Sequence, residues 1–341
     1  MSQNPKRPAG PVSTPVHEVV ASLEAQQLAP ALPDGQVSDP VDWSRDFPRF
    51  RRVKDREVSI PGTAASVPCR IYNEPTRAAE AAIVWVHGGG YLFGDLEMPE
   101  AHWVSLELAS RGAVVFSLDY RKMIEGQHFP AASDDVLTGW NWACQHVGQF
   151  GLSPENLQIG GASAGANLAA GVAKRLTDGA GTPPAALACA YPFMHPELPA
   201  WDGAELELVT ERILDPYLLP ADSDELYRYY AGTPEVMNDP FAFPANGDLS
   251  KLPPTWVLTC ELDILRTSGD AFADALKGNG VSVRLDKLAG VEHAALNKPL
   301  TPGGQEAIQR LSEWVFETRG PGCPPRNRLH AEDRKSGPAI H

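Results

Sequence analysis

The sequence predicts an α/β fold in which a mostly parallel sheet is flanked by helices on both faces. Strand-like apolar runs alternate with helical patterns from residue 81 to residue 191, and the alternation resumes near residue 255. A chain of 341 residues is long enough to bury one such core and to carry an added subdomain. The interval 193–250 interrupts the alternation and is rich in proline and aromatic residues, so we interpret it as that subdomain.

The first 80 residues precede this alternation. Residues 1 to about 15 are rich in proline, and the apolar residues that follow have the spacing of a helix from Val16 to Leu28. Residues 30–50 mix prolines with aromatic residues, namely Trp43, Phe47 and Phe50. The sequence then predicts a pair of strands, over Val53–Ile60 and Val67–Tyr72.

Two blocks of elements form the predicted core. In the first block, strands are predicted near residues 82–86, 113–118, 157–160 and 186–190, with helices near 99–111, 131–147 and 164–177. In the second block, strands are predicted over 255–260 and 281–287, with helices over 266–278 and 303–318. Charged residues and prolines dominate from Gly320 onward, so we expect a disordered tail.

The pentapeptide Gly161-Ala162-Ser163-Ala164-Gly165 lies between a predicted strand and a predicted helix. This is the context of a nucleophile elbow, a sharp turn that holds a serine at a strained backbone angle. Such a turn leaves room only for very small residues two positions before and after the serine, and Gly161 and Gly165 meet that requirement. The pattern predicts that Ser163 is a nucleophile, although a serine in any glycine-rich turn would fit the pentapeptide alone.

A second motif, His87-Gly88-Gly89-Gly90, directly follows an apolar strand-like run. Consecutive glycines leave backbone N–H groups uncovered, and such donors can stabilise an oxyanion. A strand that enters this loop upstream of an elbow is the arrangement found in hydrolases. We therefore predict an oxyanion hole made by the N–H groups of Gly88, Gly89 and Ala164, with His87 and Gly90 as supporting residues of the loop.

These two motifs, together with four further segments, resemble the hormone-sensitive-lipase-like family of α/β hydrolases. The further segments are Tyr91-Leu92-Phe93-Gly94-Asp95, Asp119-Tyr120-Arg121, Phe129-Pro130-Ala131-Ala132 and Glu261-Leu262-Asp263. The resemblance implies an α/β-hydrolase fold, an esterase activity and a helical cap built from the N-terminus and an insertion. The chain departs from the family pattern at Ala162, between Arg121 and Phe129, and directly after His293. These departures bear on substrate preference more than on the chemistry.

The general base is predicted from the order of residues along the chain, because α/β hydrolases place the serine first, then the acid, then the histidine. Four histidines follow Ser163, and two of them, His330 and His341, lie in the polar tail. His195 lies in a proline-rich stretch before any suitable acid, whereas His293 follows a predicted strand and a short loop. We predict His293 as the base, with His195 as the next candidate.

Three carboxylates compete for the role of the acid. Glu261 and Asp263 follow the predicted strand over 255–260, and Glu292 lies beside His293. The family's acid ends a similar aspartate-containing segment, so the resemblance favours Asp263. An aspartate at this place would also suit the N-terminus of the following helix, and the two roles are compatible.

These assignments predict a serine carboxylesterase that hydrolyses short- to medium-chain acyl esters through an acyl-enzyme intermediate, and deacetylation of a small metabolite falls within this class. A non-hydrolytic small-molecule binder and a lyase on the same fold are the alternatives. We expect neither a metal nor an organic cofactor, because the sequence contains no HExxH, CxxC or Walker-type pattern. The expected partner is a small-molecule ester, and a homodimer is left open.

The composition limits partners and compartment. The formal net charge of −14 opposes non-specific binding to nucleic acids and attraction to anionic membrane surfaces. No segment approaches transmembrane length, and the N-terminus lacks the apolar region of a secretory signal. Five cysteines without paired spacing favour a reducing compartment, so we expect a cytoplasmic protein in which Cys189 and Cys260 pack as small apolar residues.

The predicted organisation has five parts, because the cap interrupts the core. They are an N-terminal cap segment (1–50), the first part of the catalytic core (51–192), a cap insertion (193–250), the second part of the core (251–319) and the tail (320–341). We expect the cap to cover the active site. Its aromatic residues could line an acyl or alcohol pocket or simply pack the cap on the core, and they are Trp201, Tyr217, Tyr227, Tyr229 and Tyr230.

Overall fold

The computed structural model describes residues 15–26, 42–212 and 220–319. Its centre is an eight-stranded sheet with the strand order β1-β2-β4-β3-β5-β6-β7-β8. The two pairings that involve β2 are antiparallel, and the other five are parallel. The strands are β1 Lys54–Ile60, β2 Val67–Asn73, β3 Ala81–Val86, β4 Ala113–Leu118, β5 Leu157–Ala162, β6 Leu187–Ala190, β7 Thr255–Leu262 and β8 Val283–Glu292.

Helices cover both faces of the sheet, as the sequence predicts. Apolar residues of α2 and α8 join one buried cluster, and those of α3, α4 and α7 join another on the opposite face. The helices are α1 Val16–Gln26, α2 His102–Ser110, α3 Ala131–His146, α4 Ala164–Arg175, α5 Gly203–Arg212, α6 Pro220–Ala231, α7 Arg266–Gly278 and α8 Pro302–Glu317.

Strand β3 shows why the core can be predicted from its composition. All six of its residues are buried, and alternate side chains enter the two opposite clusters. A strand between two helical layers has no solvent-facing side, so it appears in the sequence as a continuous apolar run. This burial also fixes the position of the loop that starts at His87, at the carboxyl end of β3.

Two predicted elements have different bounds in the structure. The helix predicted near 99–111 begins only at His102, because the segment before it forms turns, in which Asp95 Oδ1 accepts the Glu97 N–H at 2.8 Å. Strand β8 continues to Glu292, past the predicted end at residue 287, because it stays paired with β7 through a register shift between Cys260 and Leu262.

The interval 193–250 contains α5 and α6. Helix α1 packs against α6, where Glu225 Oε1 accepts the Val16 N–H at 3.0 Å. The predicted N-terminal cap segment is nevertheless divided, because Phe47 packs beside Trp103 of α2 with ring centroids 6.2 Å apart. Residues 42–50 therefore belong to the core face that α2 covers. The chain before Pro15, the predicted helix end at Leu28 and the tail from Gly320 lie outside the described residues.

Buried thiols are part of this core. Cys69, Cys189 and Cys260 lie in strands and are fully buried, as the sequence predicts for the latter two, and Cys144 is half-buried. Burial raises the pKa of Cys69 to about 12 and that of Cys144 to about 11, so neither is a ready nucleophile. Within the described ranges, no helix combines the length and apolar character that crossing a membrane requires.

Candidate active site

Ser163 lies between β5 and α4 with φ 52° and ψ −119°, a conformation that side chains rarely adopt. The two flanking glycines make this turn sterically accessible. A Cβ on Gly161 would lie 2.6 Å from the Val86 carbonyl oxygen, and one on Gly165 would overlap the carbonyl oxygens of Val86 and His87. The elbow can therefore pack directly against the end of β3, where the loop His87–Gly90, the glycine loop, begins.

The structure brings Ser163, His293 and Asp263 together in one hydrogen-bonded series. The Ser163 hydroxyl donates to His293 Nε2 at 3.0 Å, and His293 Nδ1 donates to Asp263 Oδ2 at 2.7 Å. The Asp263 side chain is inaccessible to solvent, and its other oxygen accepts the Leu265 N–H at 2.9 Å. The same carboxylate thus orients the imidazole and closes the turn that leads into α7.

The competing candidates are engaged elsewhere. Glu261 Oε2 accepts a backbone N–H of β8 at 2.6 Å, and Glu292 pairs with Lys298 at 2.9 Å. His195 Nδ1 lies 2.9 Å from the Ser268 hydroxyl, and burial lowers the pKa of His195. Geometry therefore selects Asp263 and His293 as the partners of the serine.

His87 is buried and contacts the backbone of the glycine loop. Its buried ring places Nδ1 2.8 Å from the Gly88 carbonyl oxygen and Nε2 3.2 Å from Asp119 Oδ1, and it stacks on Tyr120 at 4.7 Å. Burial alone would raise the pKa of Asp119, but the hydrogen bond from His87 and the charge of Lys122 bring that pKa below its usual range. These contacts connect the glycine loop to the residues that follow β4.

The structure corrects the predicted oxyanion hole at one position. The Gly88 N–H donates to Glu100 Oε2 at 3.0 Å, so it is already used. Among the residues that the structure describes, no hydrogen bond uses the N–H of Gly89, Gly90 or Ala164. The available donors are therefore Gly89 and Ala164 from the predicted set, together with Gly90, which the sequence indicated only as a supporting residue.

Sequence reasoning missed Glu100 and Tyr191. Glu100 is 1% exposed, and its Oε1 accepts the Tyr191 hydroxyl at 2.5 Å, while the Tyr191 ring meets His293 edge-on at 4.9 Å. Burial raises the pKa of Glu100, and the hydrogen bonds from Tyr191 and Gly88 oppose that rise. No sequence signal marks Glu100, because it lies in a turn that the apolar spacing assigns to a helix.

Helix α6 of the predicted cap insertion lies near the glycine loop. The Leu226 Cδ2 atom lies 3.4 Å from the position that a Cβ on Gly90 would occupy. Trp201 is anchored to the core, since its Nε1 donates to the Ile264 carbonyl at 3.1 Å and the Arg266 guanidinium lies 4.4 Å above its ring. Of the other predicted cap aromatics, Tyr227 and Tyr230 are buried, Tyr229 is half-buried and Tyr217 lies outside the described residues.

This arrangement is suited to nucleophilic catalysis. A hydroxyl bonded to an imidazole can lose its proton as it attacks a carbonyl carbon, and nearby backbone donors can stabilise the resulting oxyanion. Within the described part of the chain, no group of three or more histidine, cysteine, aspartate or glutamate side chains is arranged to hold a metal ion.

Comparisons with known proteins identify the family of the chain. Residues 83–297, which include all three hydrogen-bonded side chains, match the sequence family described as alpha/beta hydrolase fold. The chain is 30% identical to the carboxylesterase NlhH of Mycobacterium tuberculosis over 271 residues, covering 76% of this chain and 80% of that protein. It is 31% identical to an ethyl acetate hydrolase of Pseudomonas putida over 234 residues, covering 67% of this chain and 71% of the relative. The solved esterase of Pyrobaculum calidifontis superposes with a TM-score of 0.70 and 26% identity, over 89% of this chain and 94% of that one.

Proposed function

The chain belongs to the α/β-hydrolase fold family, and on that premise we propose that it is a serine carboxylesterase acting on short- to medium-chain acyl esters. The observation that carries the proposal is the series from Ser163 through His293 to Asp263, at 3.0 and 2.7 Å. The relatives named as a carboxylesterase and an ethyl acetate hydrolase support the ester class and a small acyl group.

In the proposed mechanism, Ser163 attacks the acyl carbon while its proton passes to His293 Nε2. The imidazolium then protonates the leaving alcohol, and the acyl group stays on the serine oxygen. Asp263 holds the imidazole with its Nδ1 protonated and stabilises the positive ring. Water attacks the acyl-enzyme with His293 again as the base. Activity should therefore fall on the acid side, where the imidazole becomes protonated.

The tetrahedral oxyanion is assigned to backbone donors rather than to a charged side chain. Gly89 and Ala164 are the proposed donors, and Gly90 is the third. The proposal is supported by the engagement of the Gly88 N–H with Glu100 and by the position of Ala164 at the N-terminus of α4. Each donor of this kind typically accounts for ~3–4 kcal/mol of transition-state stabilisation.

The two alternatives make different predictions. A non-hydrolytic binder has no need of a nucleophile bonded to a base, so the hydrogen-bonded series argues against it. A lyase would release an unsaturated product instead of an acid and an alcohol, and product analysis separates the two.

We also propose a cytoplasmic location, which the unpaired, buried thiols of the core support. The net charge of −14 supports a small-molecule ester as the partner rather than a nucleic acid. Homodimer formation, which the sequence leaves open, is tested by sedimentation velocity of the purified enzyme.

A fluorophosphonate probe tests the proposed nucleophile. We expect stoichiometric labelling of Ser163, and we expect Ser163→Ala to lower kcat on p-nitrophenyl acetate at least about a thousand-fold. Ser117→Ala is a matched control, because the Ser117 hydroxyl is buried and has no hydrogen-bond partner among the described residues. Labelling at another serine of the folded enzyme, or turnover retained in Ser163→Ala, would contradict the proposal.

A further inference from the structure

Glu100 joins three separate parts of the site, although it supplies no group to the hydrogen-bonded series. Its Oε2 accepts the N–H of Gly88 in the glycine loop, at 3.0 Å. Its Oε1 accepts the hydroxyl of Tyr191, which follows β6. Its own backbone N–H donates at 3.0 Å to Oδ1 of Asn297, in the segment that follows His293. One buried residue therefore ties the oxyanion loop to the elements that carry the base.

Tyr191 extends this connection to the imidazole. Its hydroxyl donates to Glu100 and accepts the Leu296 N–H at 3.3 Å, while its ring packs edge-on against His293. Both the ring and the hydroxyl of Tyr191 thus contact the segment that holds the base. A movement of the Glu100 carboxylate would be transmitted to the imidazole and to the glycine loop together.

The contacts of Glu100 match an ionised carboxylate. Each of its two oxygens faces a donor, an N–H from Gly88 and an O–H from Tyr191, and a carboxylate only accepts hydrogen bonds. A buried negative charge near His293 favours the imidazolium that forms when Ser163 gives up its proton. Asp263 favours the same species through a direct hydrogen bond, so two carboxylates favour the protonated base.

We propose that Glu100 is a positioning residue of the ester hydrolysis, an inference that rests on the proposed function. It orients the peptide at Gly88 so that the following N–H groups remain available for the oxyanion. Through Tyr191 it also holds His293 in place, and its charge stabilises the protonated form of the base. Displacements of about 1 Å in such a site can cost roughly a hundred-fold in rate.

A pH experiment on Glu100 and His293 must take the other ionisable groups around these two residues into account. Asp263 and Tyr191 contact the imidazole directly, and Glu292 is paired with Lys298 beside it in the chain. Among the described residues, Glu100 also interacts electrostatically with His87, Tyr120 and Cys260. The tyrosines and the cysteine are buried with raised pKa values, so they stay neutral through the acid side of the activity profile.

The test compares Glu100→Gln with a matched control, Glu107→Gln. Glu107 is also fully buried, seven positions further along in α2, but it pairs with Arg49 and Arg111, away from the site.

We expect Glu100→Gln to lower kcat by roughly 10- to 100-fold with little change in KM, because alignment matters most in the transition state. We also expect the acid limb of kcat/KM to move to lower pH, since the imidazolium loses a nearby negative charge. Glu107→Gln should lower the melting temperature and change neither quantity.

Two further measurements keep the proposal decidable. Tyr191→Phe removes the hydroxyl that links Glu100 to the segment after His293, and its effect on kcat should be non-additive with that of Glu100→Gln. The His293 imidazole can also be titrated by NMR in the resting enzyme, where Glu100→Gln should shift the midpoint to lower pH. This titration needs no turnover, so it tests the inference even if the protein hydrolyses no ester. Absence of hydrolysis would overturn the proposed function alone. The inference would be overturned if folded Glu100→Gln kept the wild-type kcat and an unshifted midpoint of the His293 titration. It would also be overturned if Glu107→Gln lost as much kcat as Glu100→Gln.

Discussion

Ser163 illustrates how a single residue depends on the space left by its neighbours. Its positive φ is strained, and the strain is tolerated because β5 and α4 fix the chain on both sides of it. Gly165 contributes by having no side chain, since its Cα faces the carbonyl oxygens of Val86 and His87. The elbow and the glycine loop therefore share one close backbone contact.

This contact leads to a prediction about Gly165→Ala. The added methyl group would collide with backbone atoms, which cannot rotate away, so the elbow and the loop must separate. We expect a loss of about 3 kcal/mol or more in the free energy of unfolding, together with loss of esterase activity. Gly278→Ala in α7 is the control, because a Cβ there meets nothing within 4 Å and should stabilise the protein slightly. Unfolding in urea gives both values, and equal stabilities of the two variants would refute the steric argument.

The proposed catalytic residues could be chosen from the sequence because they stand at the ends of predictable elements. Ser163 follows a strand within a recognisable motif, and chain order restricts the histidine to His293. Asp263 needed the family resemblance, since Glu261 fitted the strand end equally well. Glu100 could not be found, because its role depends on three segments that are distant in sequence and meet only in the folded protein. The use of the Gly88 N–H escaped prediction for the same reason.

At the level of elements, the buried strands were easier to predict than the cap. Strands β3 and β4 are continuous apolar runs between two helical layers, and both are found within one residue of their predicted bounds. The predicted cap gives no such pattern, and its helix α6 packs through the separated aromatic residues Tyr227 and Tyr230. Tyr230 of α6 stacks on Tyr91 with ring centroids 4.1 Å apart and an interplanar angle of 4°. That pairing joins α6 to the residue directly after the glycine loop.

The position of α6 leads to a prediction about substrate size. Leu226 lies against Gly90, so its side chain is placed to contact the part of a substrate beyond the reacting carbonyl. We expect Leu226→Ala to reduce kcat/KM for a p-nitrophenyl hexanoate roughly 5- to 10-fold, and for the acetate by less than about 2-fold, because only the longer chain loses apolar contact. Arg228→Ala, an exposed change on the same helix, should leave both values unchanged.

The comparison is made on folded variants, with circular dichroism as the check. An equal loss on both esters would mean that Leu226 supports the geometry of the loop and not selectivity. Fluorophosphonate labelling of Ser163 should persist in Leu226→Ala, since the nucleophile and its partners all lie on the core.

At the scale of the whole molecule, the fold keeps many weak acids away from water. Burial raises the pKa of six fully buried tyrosines above the ordinary value, and these are Tyr72, Tyr91, Tyr120, Tyr191, Tyr227 and Tyr230. The pKa of half-buried Tyr229 is raised as well. Burial raises the pKa of the thiols Cys69, Cys189 and Cys260 in the same way. Lys122 is the opposing case, because burial lowers its pKa. Because groups with raised pKa values outnumber Lys122, the free energy of unfolding should depend on pH on the alkaline side.

The sign of this coupling gives the last prediction. A group whose pKa is higher in the folded protein keeps its proton longer there, so the unfolded chain releases protons first as the pH rises. The stability from these groups is complete below about pH 7.5, where unfolded thiols and tyrosines are still neutral. It decreases first as unfolded thiols ionise near pH 8.5 and then as unfolded tyrosines ionise near pH 10. Among the described residues that titrate on the alkaline side, Lys122 has a lowered pKa and acts in the opposite direction, and one such group cannot offset nine. We expect cooperative alkaline unfolding in which the six buried tyrosines ionise together with the loss of circular dichroism. In urea, all eight tyrosines of the chain should titrate near pH 10. Ionisation of the six at that ordinary pH, with the native dichroism intact, would show that their hydroxyls reach water without unfolding.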